Sequence, residues 1–312
     1  MIYQILYGRI DSHGYRQIDN LQNVEMKQEE IEQIASFRNY SIEYLEHIKP
    51  ENLPECFFCY FFQTDKGKVV IIGKNTFLKA APLKGELYAR DTVISHQYIL
   101  NHTSYEHIIT GCVPDYFFQG KSYCTQLEDC NLKEVSDETI FQAAEKAVSD
   151  EELKNLSGIL GIHENNLINF MNMLFSAMSR ENCRLYVCLP SNDRNGSEAV
   201  LRFSIGLLER FPPIIMADFG FITYQQTFQG QGSQDGMLPS RIPLVFILNK
   251  EKNINKYNLQ NNDYIFDPWN HFYSPVNIDK VTAIAFEGLS KIIWEPENYQ
   301  QNIIYNLIGK IT

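Results

Sequence analysis

The residues able to do chemistry are few and scattered. Cys56 and Cys59 have the CxxC spacing of zinc knuckles and redox sites, but they lie in an apolar run that reads as a β-strand. Residues three apart on a strand point to opposite faces, so these sulfurs cannot share one metal, and no second CxxC is present. The segment reads as buried structural cysteine. Cys124 and Cys130 have no basic neighbour to stabilise a thiolate. Gly230, Gly232 and Gly236 are spaced wrongly for a dinucleotide fingerprint, and no Lys-Ser/Thr follows as in a P-loop. The chain also has no GxSxG elbow, no HExxH and no EF-hand loop. No metal or cofactor is expected from these motifs.

Two polar places remain. In one, Tyr7, Gly8 and Arg9 are followed by His13, Gly14 and Tyr15, where a first strand breaks and a second begins. In the other, Arg90 to His96 opens an apolar strand. Alternation along that strand puts Arg90, Thr92, Ile94 and His96 on one side, with the guanidinium and imidazole too far apart to touch. The plain reading is a solvated Arg and a hydrogen-bonded His, and the sharper one is an anion-binding or peptide-binding pocket that includes His13, Arg90 and His96. A hydrolase assembled from His13, His96, His102 or His107 with a cysteine or carboxylate is the enzymatic alternative, since catalytic groups need only meet in space. Ser95 is a poor nucleophile, because it faces away from His96.

The elements that would position these groups come from hydrophobic patterning. Residues 1–135 form short aromatic and β-branched runs with one acidic helical stretch from Glu29 to Phe37, which predicts a largely antiparallel sheet with a covering helix. Cys56 to Gln63, the Gly67-containing turn and Lys68 to Gly73 form its clearest hairpin. Both strands are apolar on successive residues, so both faces should be covered. Residues 136–211 switch to helical periodicity, and 136–312 read as a second, α/β domain. Ser149 and Glu152 fit a capping box. Leu167, Phe170, Met171, Leu174, Phe175 and Met178 recur at offsets of three and four, a core-facing helix stripe. Arg184 to Leu189 reads as a strand, Ala199 to Phe211 as a helix stopped by Pro212 and Pro213, and Ile214 to Tyr224 as a strand. Gln225 to Arg241 is a Gln- and Gly-rich loop, and Pro243 to Asn249 and Tyr264 to Asp267 are strands. The terminal stretch with Ile303, Ile304, Leu307 and Ile308 reads as a docked helix or an exposed apolar patch.

At 312 residues and 44% hydrophobic, the chain can bury a large core. A net charge of −11 argues against a broad face for nucleic acid, whose affinity comes largely from Lys and Arg displacing counterions. No run reaches the ~18 apolar residues of a membrane span, and the first residues lack the charged start and long apolar core of a signal peptide. Seven scattered cysteines fit free thiols in a reducing compartment, so the expected location is the cytoplasm.

The segment IYQILYGR at Ile2 to Arg9, followed by His13-Gly14-Tyr15, the hairpin and YARDTVISH at Tyr88 to His96, resembles the amino-terminal domain of the bacterial GTPase-associated protein family. An opening Q-x-x-Y-G strand and a later strand spanning Arg90 to His96 carry that likeness. LERFPPIIMADFGFITY at Leu208 to Tyr224 resembles the family's middle region, and Tyr264 to Asp267 a short strand beyond it. Asp91 and Thr92 depart from the family, where glycine is commoner, and members usually carry a longer carboxy-terminal region. The resemblance implies a bacterial cytoplasmic protein working beside a GTPase or related NTPase in a multi-component system of the defence type. It implies association with a protein partner rather than an activity.

Overall fold

A computed structural model of the chain describes residues 3–9, 15–21, 26–35, 55–81, 90–101, 148–180, 183–189, 194–211, 219–225, 242–248, 263–278 and 280–294. The chain is a mixed α/β protein. Its strands are β1 (Tyr3–Arg9), β2 (Tyr15–Leu21), β3 (Cys56–Thr64), β4 (Gly67–Ala81), β5 (Arg90–Asn101), β6 (Leu185–Leu189), β7 (Phe221–Gln225), β8 (Leu244–Leu248), β9 (Tyr264–Asp267) and β10 (Phe272–Tyr273). The described helices are α1 (Gln28–Ala35), α2 (Asp150–Ile159), α3 (Glu164–Met178), α4 (Arg194–Arg210) and α5 (Lys280–Trp294). None is long and apolar enough to cross a membrane.

All ten described strands belong to one sheet, in the order β10-β9-β6-β8-β7-β3-β4-β5-β1-β2. The first five in the chain pair antiparallel, in keeping with the largely antiparallel sheet that the patterning predicts. The β9, β6, β8 and β7 strands run parallel to one another, and α4 lies in the connection from β6 to β7. The two halves meet where β3 pairs antiparallel with β7, Phe58 opposite Ile222 and Cys59 opposite Phe221. Two further bonds lock the join: Phe57 N–H donates to Thr223 Oγ1 (2.9 Å), and the Cys56 thiol to the Tyr224 carbonyl (3.2 Å). The compositional boundary near residue 135 lies outside the described residues, and the sheet itself runs through from one half to the other.

Both faces are covered. On one, Phe57, Cys59, Phe61, Ile72 and Tyr98 pack with apolar side chains of α2, α3, α4 and α5. On the other, Cys56, Phe58, Tyr60 and Ile71 pack with Ile31 and Ile34 of α1 and with Tyr186, Cys188, Ile222 and Tyr224. This is why β3 is apolar on successive residues: Cys56 through Phe61 are all buried. The α3 stripe behaves as its spacing requires, with Phe170, Met171, Leu174 and Phe175 buried and Leu167 and Met178 packed at its margin. At the start of α2 the Ser149 hydroxyl accepts the Glu152 N–H (3.1 Å), as a cap should. The Glu152 carboxylate is used differently from the predicted box: it takes the Arg202 guanidinium with two bonds of 2.9 Å, tying α2 to α4.

The hairpin extends beyond its sequence limit. Gly73 reads as a terminator, yet β4 continues to Ala81. Gly73 is instead a close-approach position, since the Phe58 ring lies where a Cβ would stand. A Gly73→Ala substitution should therefore destabilise the fold by about 1–3 kcal/mol through overpacking. In urea denaturation, adding Phe58→Leu should recover part of that loss; equal midpoints for wild type and Gly73→Ala would refute the packing assignment.

Candidate functional site

His96 lies in the interior of β5, opposite Leu6 of β1 and Lys74 of β4. Paired residues of antiparallel strands share a face, so Gln4, His96 and Lys74 all stand on the side covered by α2 to α5, beside Tyr98. His96 is buried, and its Nε2–H donates to Gln4 Oε1 at 3.1 Å. Because an amide oxygen can only accept, this bond sets the tautomer. The ring packs on Tyr98 with centroids 4.8 Å apart. Burial, reinforced by the Lys74 charge, lowers its pKa to about 3. The imidazole is thus neutral at physiological pH.

Lys74 is itself only 2% exposed and meets Glu55 Oε1 at 2.8 Å, with its ammonium 5.3 Å from the centre of the Phe57 ring. Glu55 is held from two directions: its N–H donates to Ser197 Oγ near the start of α4 (3.2 Å), and Thr223 Oγ1 of β7 donates to its carbonyl (3.4 Å). The ion pair therefore sits where the antiparallel half, β7 and α4 converge, and the compensating charge keeps a buried ammonium tolerable.

On the opposite face of the same strands the register continues as Tyr7, Ser95, Asn75 and Cys56. Gln97 Nε2–H donates to Ser95 Oγ at 2.9 Å. Burial pushes the Cys56 thiol up to about 12. Cys59, on the helical face, is also raised to about 12 by burial, and Cys183 to about 11. Thiols so placed are protonated and inert at neutral pH. Cys56 and Cys59 do face opposite sides of β3. Among the described residues no three His, Cys, Asp or Glu side chains come together as metal ligands.

Of the three residues singled out from sequence, His96 alone has a described side chain. Arg90 stands at the start of β5 opposite Ala81, six positions from His96, with a register shift in β4 between Leu78 and Ala81. That spacing is roughly 20 Å along a strand, so the two positions do not converge. His13 lies outside the described residues, as do His102, His107, Cys124, Cys130, residues 226–241 and the stretch from Ile303 to Ile308. Ser95 and His96 face opposite sides, as strand alternation requires. The sequence pattern does not single out Glu55 or Lys74, and Gln4 enters it only as the first residue of the Q-x-x-Y-G likeness; the available signal for the other two was a lysine and a glutamate flanking otherwise apolar strands.

Two measurements check this geometry. An unfolded chain protonates His96 near 6.5, whereas the folded chain resists protonation until about 3. Acid therefore favours unfolding: the stability His96 contributes is intact above pH 6.5 and is lost as pH falls from there toward 3, at up to about 1.4 kcal/mol per pH unit. Urea midpoints across that range should fall less steeply for His96→Gln than for wild type; identical slopes would mean the histidine is not buried neutral. Second, Glu55→Ala should cost on the order of 3 kcal/mol by leaving Lys74 buried without its counter-charge, and adding Lys74→Met should restore much of it. A double variant as unstable as the sum of the two single variants would show that the charges do not depend on each other.

No family model matches the chain, and no curated protein matches it.

Proposed function

We propose that this chain is a non-catalytic binding or adaptor component that docks a protein partner, a GTPase or related NTPase, within a bacterial multi-protein system of the defence type. The cytoplasm is its proposed place of work. The observation supporting this reading is the state of His96: a neutral imidazole, hydrogen-bonded to Gln4 inside a sheet covered on both faces, beside a lysine already paired with Glu55. A general base has to reach a substrate proton and exchange its own near the working pH. His96 is fitted to hold strands together instead. The thiols of Cys56 and Cys59 are withdrawn in the same way, leaving recognition to the surface of a rigid scaffold. The partner class follows from the amino-terminal resemblance carried by Gln4, Tyr7, Gly8, Arg90 and His96.

The test is co-purification. The tagged full-length chain is mixed with the products of neighbouring genes, loaded with GDP or with a non-hydrolysable GTP analogue, and complexes are read by size-exclusion chromatography with mass spectrometry. The expected result is a stoichiometric complex with an NTPase in at least one nucleotide state. Failure to associate in both states counts against the adaptor reading. Turnover of an ester, amide or phosphoester panel that His96→Gln abolishes without unfolding the protein would favour the hydrolase instead.

A further inference from the structure

We draw no further inference here: the strongest candidate, the polar row of Tyr7, Ser95, Asn75 and Cys56 across the α1 side of the sheet, in which the buried Asn75 amide makes no hydrogen bond, carries nothing because Asn75 is wholly shielded from solvent and nothing among the described residues shows what a ligand would displace to reach it.

Discussion

The constraint on which the rest depends is that the central strands of the sheet are buried on both sides. A strand in such a sheet has no solvent face on which to place a polar side chain, so each one must either be apolar or find a partner within the fold. β3 meets the demand by composition, with Cys56 to Phe61 all buried. β4 and β5 meet it largely by pairing, Lys74 with Glu55, His96 with Gln4, and Gln97 with Ser95, while the buried Asn75 amide does not. The chemistry-bearing residues of the central strands are thereby drawn into the scaffold.

The β3 to β7 join extends that constraint across the molecule. With Phe58 opposite Ile222 and the Cys56 thiol on the Tyr224 carbonyl, the antiparallel strands of the first half and the parallel strands of the second present continuous faces. Helices from the second half then cover strands of the first. Phe57, Tyr98 and Leu100 thus share a core with Phe170, Phe203 and Leu207. The contact of Glu55 with Ser197 and Thr223 lies at the same place, so the partly buried ion pair and the join support each other.

Much of the element order was legible from pattern alone, because each legible element carries a strong period. The α3 helix shows its stripe from Leu167 to Met178, and β3 shows an apolar run too short for a helix and too continuous for a one-sided strand. What was not legible has physical causes. Gly73 followed by Lys74 reads as a strand end, since neither a glycine nor a lysine favours a buried strand; only the Phe58 ring above one and the Glu55 carboxylate beside the other make the continuation to Ala81 understandable. β10, two residues long, has no room for a period. In α5 the stripe of Phe286 and Leu289 is blurred by apolar residues around it, including the exposed Ile284. The β3 to β7 pairing joins residues more than 160 apart, and no local signal encodes it.

The candidate site was legible as a set of polar residues and illegible as an environment. Arg90 to His96 stood out because it interrupts apolar sequence, but whether His96 faces solvent, a cleft or a core depends on Gln4 and Lys74, which come from other strands. The most direct measurement is an NMR pH titration of the His96 imidazole, assigned by comparison with His96→Gln. The account predicts ring resonances that keep the neutral-form shift from pH 8 down to pH 4. A titration midpoint near 6.5 would contradict it, and would return His96 to the list of groups available for chemistry.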